Sequence, residues 1–261
     1  KDVFLDAIRL GQSFGRVDGV FHQGACADTT CTDRWLLWRD NFQYSVTLLD
    51  WAQRESIPLV YASSAAVYGA STHFTESPEN ERPLNGYAWS KLLFDRHVRR
   101  TPWNARSTVV GLRYFNVYGP AEAHKGRMAS MVWQLWRQLV QTDEARLFEG
   151  SGGFADGEQR RDFVHVSDVV AVNLHFMLAP PQRAIVNVGT GRSRSFNDVA
   201  RALISHRGRG TIRYIPMPDP IRNAYQSFTE ADLAALRQAG CTHEFLDLET
   251  GLARSVAAWS A

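Results

Sequence analysis

Lysine is the scarcest charged residue of this 261-residue chain: all but three of its 29 basic side chains are arginine, the exceptions being Lys1, Lys91 and Lys125. Against 27 acidic residues the formal net charge is only +2 at pH 7. That excludes a polybasic clamp for nucleic acid and a polybasic membrane anchor. Cysteine is scarce as well. Cys26, Cys31 and Cys241 are odd in number and form no CxxC pair, so neither a disulfide framework nor a zinc site is suggested, no metal is expected, and a reducing cytoplasm fits best. No apolar run approaches the roughly 18 to 20 residues that span a bilayer, and the start lacks the pattern of an export signal. Internal repeats and low-complexity stretches are missing too. What remains is ordinary for a folded protein: 44% hydrophobic and 21% charged residues, far from the signature of disorder.

Up to about residue 205, short β-rich runs alternate with longer segments of helical period, the pattern of a parallel sheet with crossover helices. Phe4, Leu5, Ile8 and Leu10 give a helical stripe, and 17–22 reads as a strand. A long helix is predicted over 35–55, a strand over 59–63, a helix over 87–100 and a buried strand over 108–114. Further on come a helix over 128–140, a strand over 146–148, a helix over 164–178 and a strand over 185–188. A helix over 195–205 follows, capped by Ser195 or Asn197, then a strand over 211–215. A last helix is predicted over 229–239, with Thr229 as N-cap, Asp232 at N3 and Gly240 as its stop.

Tyr87 and Lys91 stand four residues apart within Tyr87-Ala88-Trp89-Ser90-Lys91, so on a helix they share one face. A tyrosine is a poor base at neutral pH, but a neighbouring ammonium stabilises the phenolate and is expected to lower its pKa. The pair then suits proton removal from a hydroxyl while a nicotinamide takes the hydride. With 8 tyrosines and three lysines in 261 positions, this spacing arises by chance only about 0.09 times. Upstream, the run from Tyr61 to Gly69 places Ser63 and Ser64 at the C-terminal end of a predicted strand, where open α/β sheets put their ligands.

Ser64, Tyr87 and Lys91, with the segment from Arg113 to Pro120, resemble the catalytic triad and cofactor loop of the extended short-chain dehydrogenase/reductase family. Phe21 to Cys26, His124-Lys125-Gly126, Met128-Ala129-Ser130, Phe148 to Ser151 and Arg161 to Val164 are similar to its ADP-L-glycero-D-manno-heptose 6-epimerase branch, and the likeness runs almost from end to end. The resemblance implies an α/β fold: a Rossmann-like, doubly wound parallel sheet with a smaller α/β substrate-binding cap. It assigns 1–118 with 162–190 to the NADP-binding part, and 119–161 with 191–261 to the cap. The implied reaction oxidises carbon 6 of the heptose to a transient ketone on bound NADP and returns the hydride to the opposite face, in lipopolysaccharide inner-core precursor synthesis. Tyr87 and Lys125 are the two implied bases.

The same resemblance gives Lys1, Gln23, Gly24, Ala25, Cys26, Ala27, Asn41, Lys91, Val117 and Lys125 to the cofactor. It gives Asn116, Arg127, Gln134, Phe148, Glu149, Gly150, Ser151, Arg161 and Tyr225 to the ADP-heptose. Arginine suits a diphosphate because its fork binds oxygens in pairs. A homo-oligomer is implied; nucleic acid and membrane are not. The sequence departs from the family at Gln23, Arg127 and Gln134, where Glu, Ser and His are expected. It also shows no strand and Gly-rich turn of the dinucleotide-binding type. Aligned on the resemblance, on the order of 50 residues holding a βαβ-sized unit precede Lys1 in the family, so the chain as it stands is expected to be marginally folded and to bind NADP poorly. Alternatives are a UDP-hexose 4-epimerase or dehydratase on the same fold, which needs no second base at Lys125, and a non-catalytic NADP-binding homologue.

Overall fold

The computed structural model describes residues 2–11, 15–218 and 225–260; Lys1 lies outside them. Ten strands are present among these residues: β1 (Val20–His22), β2 (Leu59–Ser64), β3 (Val109–Tyr114), β4 (Asn116–Tyr118), β5 (Glu144–Phe148), β6 (Arg160–Arg161), β7 (Phe163–His165), β8 (Arg183–Val188), β9 (Arg194–Ser195) and β10 (Thr211–Ile215). A four-stranded sheet runs in the order β1-β2-β3-β8 with every pair parallel. The rhythm of apolar runs in the sequence predicts this arrangement, because strands of a parallel sheet are covered on both faces and read as continuous apolar stretches.

The two faces have separate cores. One packs Leu59, Tyr61 and Val109 against Leu48, Leu49, Trp51, Phe94 and Val98 of α3 (Tyr44–Arg54) and α4 (Gly86–Arg100). The other packs Val60, Val110, Leu112, Val186 and Val188 against Val169, Val172 and Phe176 of α6 (Val166–Leu178). A third core joins α5 (Met131–Thr142), α7 (Phe196–Arg207), the parallel pair β5-β10 and the closing helix Leu248–Ser260.

Several predicted elements change on inspection. The helix expected over 35–55 runs from Arg34 to Arg54 but in three pieces: α2 (Arg34–Leu37), a π-helical turn Trp38–Gln43, and α3. Such turns insert an extra residue and re-aim a side chain, and here the turn carries the buried Asn41. The helix expected over 164–178 gives its first residues to β7, because Val164 finds a ladder partner in Val117 of β4; His165 then caps α6. The helix expected over 128–140 starts at Met131, with Ser130 as its cap. The helix expected over 229–239 is reduced to Ala234–Gln238. The Thr229 N–H instead donates to the Arg160 carbonyl at 3.1 Å, and Phe228 bridges Arg160, so tertiary pairing overrides a sound local cap signal. Ser195 does cap α7, in a capping box with Asp198.

Candidate active site

Helix α4 is placed by its own start. The Asn85 side chain accepts the Ala88 N–H at 2.9 Å, and Gly86 follows because a Cβ there would stand 2.9 Å from Leu37 Cδ1. Tyr87 is therefore in the first turn, at the C-terminal end of the sheet. Ser64 ends β2 and caps a 3-10 turn, Ala65–Tyr68, accepting the Ala66 N–H at 3.2 Å. Gly69 closes that turn with φ +49°, where a side chain would run into the Arg82 carbonyl. The Ser64 hydroxyl is near enough to the Tyr87 phenol to favour its ionised form.

Lys91 is buried, donates to the Ala62 carbonyl at 2.9 Å and stands 5.9 Å from the centre of the Tyr87 ring. One expectation is corrected here. The Tyr87 phenol is pushed above its ordinary value rather than below it: burial is the largest cause, and the Ser64 hydroxyl only partly offsets it.

Sequence reasoning missed what holds this helix in register. Asp95, one turn beyond Lys91, is fully buried and accepts from the Tyr61 hydroxyl at 3.0 Å, the Ser63 hydroxyl at 2.9 Å and Arg113 Nε at 2.9 Å. Arg113 Nη2 donates in turn to Glu81 at 2.5 Å, and Arg99 joins the same carboxylate at 2.6 Å. The step Tyr87, Lys91, Asp95 in fours was the available signal.

Of the residues expected at a cofactor, Gln23, Gly24, Ala25, Cys26 and Ala27 follow β1 at the same end of the sheet. Gln23 donates to Asn173 at 3.0 Å and accepts from the Tyr114 hydroxyl at 3.0 Å. Burial raises Tyr114 to about 12 against those hydrogen bonds. Asn41 accepts the Cys26 N–H at 2.7 Å and donates to the Cys26 carbonyl at 3.0 Å and the Ser90 hydroxyl at 2.9 Å. Both ends of its amide are thus used to hold this loop on α4. Val117 lies in β4, half-buried, next to the exposed Asn116.

Lys125 sits in a short 3-10 turn, Ala123–Met128, that reverses at Gly126 with φ +54°. Arg127 extends from it to Asp28, in the loop after β1, at 2.5 Å, and this contact was not foreseen. The Asp28 carboxylate is held below its ordinary value, first by hydrogen bonds from Thr30 and then by Arg127. Gln134 donates to the Ala129 carbonyl at 2.7 Å and the Arg127 carbonyl at 3.3 Å, bracing the same turn from α5.

The remaining substrate candidates gather elsewhere. The Arg161 guanidinium is buried, 4.8 Å from the Tyr225 ring and 5.7 Å from the Phe196 ring, and Phe148 meets Tyr225 edge-on at 6.1 Å. Burial lowers the Arg161 pKa, and no carboxylate pairs with it among the described residues. Glu149, Gly150 and Ser151 leave β5 along the rim: Gly150 N–H donates to Asp156 at 2.7 Å, and Gln159 donates to the Glu149 carbonyl at 2.8 Å and the Ser151 hydroxyl at 3.1 Å. Among the described residues no cluster of three or more His, Cys, Asp or Glu could hold a metal, and no helix is long and apolar enough to cross a membrane.

Residues 4–189 match the model of the NAD dependent epimerase/dehydratase family. The chain is 53% identical over 252 residues to the ADP-L-glycero-D-manno-heptose-6-epimerase of Alkalilimnicola ehrlichii, covering 97% of this chain and 79% of that protein. Its fold is similar to the crystal structure of the Helicobacter pylori ADP-L-glycero-D-manno-heptose-6-epimerase, with a TM-score of 0.84 at 33% identity over 100% of this chain and 77% of that one. The UDP-glucose 4-epimerase of Thermus thermophilus, solved with NAD, gives a TM-score of 0.78 at 22% identity over 98% and 82% of the two chains, a likeness of fold alone.

Proposed function

The chain belongs to the NAD dependent epimerase/dehydratase family, and from that premise we propose that it inverts carbon 6 of ADP-D-glycero-β-D-manno-heptose, a step in making lipopolysaccharide inner-core precursors. The observation that carries the reading is a second proton-bearing side chain, Lys125, on a turn tied across to the loop after β1, in a chain that already holds Ser64, Tyr87 and Lys91 at the sheet end. A retaining dehydrogenase needs one such group. Inversion through a ketone that keeps one orientation in the site calls for two, one for each face of the carbon, whereas a 4-epimerase that turns its ketone over manages with one.

The residues at the sheet end fit a nicotinamide dinucleotide. Lys91 offers a buried ammonium beside the phenol, and Gly24 is open enough that a Cβ there would meet no neighbour within 4 Å. The chemistry such a group would supply is reversible hydride transfer at carbon 6. Tyr87, with Ser64 on the reacting oxygen, takes the hydroxyl proton as the carbonyl forms; since burial keeps the free phenol protonated, a positive charge brought in by the bound nicotinamide would have to draw its pKa down first. Lys125 supplies a proton to the oxygen as hydride returns to the other face, so hydrogen lost equals hydrogen regained. We assign NADP rather than NAD; Lys1, read as reaching a cofactor phosphate, lies outside the described residues. Arg161, buried without a carboxylate partner among the described residues, is assigned to the diphosphate, with Tyr225 and Phe148 beside it.

The division into a cofactor part (1–118 with 162–190) and a cap (119–161 with 191–261) belongs to the same reading, supported by the separate core around α5 and α7. So does a homo-oligomer: Trp38, Leu84, Trp89 and Leu93 line an apolar cleft of about 490 Å³ and stay exposed, with Trp35 stacked on Trp38. Three free cysteines support a reducing cytoplasm.

Incubation of the full-length protein with ADP-D-glycero-D-manno-heptose and NADP is expected to invert carbon 6, read by chromatographic separation of the two epimers. No product, or product only from a UDP-hexose, overturns the reading. Nucleotide released on denaturing that full-length protein is expected to be NADP by mass.

A further inference from the structure

Lys125 is 45% exposed at its side chain, yet the turn that carries it is anchored on a carboxylate that is not. Glu122 is 2% exposed. It accepts the Gly119 N–H at 3.1 Å, the Ser130 N–H at 2.7 Å and the Ser130 hydroxyl at 2.7 Å. The chain therefore leaves for the turn and returns from it at one buried side chain. The same carboxylate lies 3.7 Å from Lys125 Nζ. Loop closure alone asks only for neutral acceptors. A buried negative charge directed at the one ammonium of the turn is an additional expense in desolvation, and it has an additional effect.

Lysine carries its charge on a flexible four-carbon stem, and catalysis by a misplaced group is poor: an error of about 1 Å costs on the order of 10²-fold. We propose that Glu122 is a positioning residue for Lys125. Its carboxylate closes the turn through Gly119 and Ser130 and holds the ammonium at one place over the site. This rests on the assignment of Lys125 as the second base.

The test pairs Glu122→Gln with Lys125→Met in the holoenzyme, using ADP-D-glycero-D-manno-heptose and NADP. Glu122→Gln sets an amide NH2 against one of the donors that close the turn, so it is expected to keep its bound nucleotide with a melting temperature lowered by only a few degrees and to change KM by less than about threefold, while kcat for inversion falls by about 10- to 100-fold. Transient reduced-nicotinamide absorbance in single-turnover mixing is expected to persist, because that half belongs to Tyr87. A wild-type kcat overturns the proposal. So does joint loss of nucleotide, melting temperature and the absorbance transient, which is what a structural role alone produces.

If Glu122→Gln fails to fold, Glu122→Asp decides. It keeps the charge one carbon short of Lys125, and kcat is expected to fall severalfold at constant KM; an unchanged kcat overturns the proposal. A Lys125→Met protein that inverts normally removes the second-base reading and this inference with it. A dead Lys125→Met beside an active Glu122→Gln removes the inference alone.

Discussion

Tyr87 and Lys125, the two groups assigned to move protons, stand on supports of opposite kind. Tyr87 rides a fifteen-residue helix whose neighbouring turns are fastened to β2 by Lys91 and Asp95, with Arg113 and Glu81 behind them, all buried. Lys125 rides an exposed turn held at a few points: Glu122 at its base, Gln134 from α5, and the Arg127–Asp28 pair at its tip. The first support resists displacement because moving it would strand charges out of water. The second yields more cheaply, since its outer contacts face solvent. A site that must admit a sugar nucleotide and work on both faces of one carbon gains from one fixed wall and one adjustable wall.

The contrast breaks most severely if the fixed wall is cut. Asp95→Ala leaves the Arg113 guanidinium buried without one of its two carboxylates, and the Tyr61 and Ser63 hydroxyls without their acceptor. Loss of one partner of a buried pair costs about 3–5 kcal/mol, so urea denaturation is expected to show a loss of that size. A loss below about 1 kcal/mol would mean the network is not what fixes α4. Tyr87→Phe probes the same wall without cutting it. The fold is expected to be unchanged by thermal melting while kcat falls by about 10²- to 10⁴-fold, the range of a positioned general base.

The sequence made the fixed wall more legible than the adjustable one. Tyr87 and Lys91 announce themselves by helical spacing, and Ser64 by its place at a strand end. Asp95 continues the same stripe, yet a single aspartate on a helix ordinarily reads as a solvent-facing residue; only burial against Arg113 of β3 reveals its task, and that contact joins distant segments. Arg127 reads from sequence as positive charge beside the substrate site, there to serve the diphosphate or to exclude the usual sugar pose; its partner Asp28 stands 99 positions away, where no local pattern points. Thr229 and Val164 fail as helix residues for a related reason: each finds a backbone partner on another strand that no local pattern encodes.

Acid is expected to separate the two walls. His165, which ends β7 and caps α6, lies under the start of the Lys125 turn: a Cβ on Gly119 would meet Val166 at 2.4 Å and His165 Nε2 at 3.6 Å. Burial holds the His165 pKa below its ordinary value, ahead of the opposing pull of Asp168 and the further push of Arg254. A depressed histidine protonates first in the unfolded chain, so its contribution to stability is whole above the ordinary value of about 6.5 and declines as the pH falls beneath it. Amide exchange at pH 7.5 and 5.5 is expected to show protection lost around 119–130 before any loss in α4. Equal loss in both places would make the two supports equivalent.

The smallest expected effect lies at the tip of the adjustable wall. Asp28 and Arg127 approach to 2.5 Å, but the Arg127 side chain is 73% exposed, and exposed pairs of that kind add little to stability, less in high salt. Asp28→Asn, Arg127→Gln and the double substitution form a cycle that reads the pair directly. The coupling in stability is expected to be small and to weaken further in about 0.5 M salt, because an exposed pair is screened. The coupling in KM for ADP-heptose is expected to be the larger of the two, because the pair ties the Lys125 turn to the loop after β1 and so sets how far apart they stand rather than the stability of either side. If the stability coupling exceeds the KM coupling, the tip is a structural brace, and the adjustable wall is as fixed as the other.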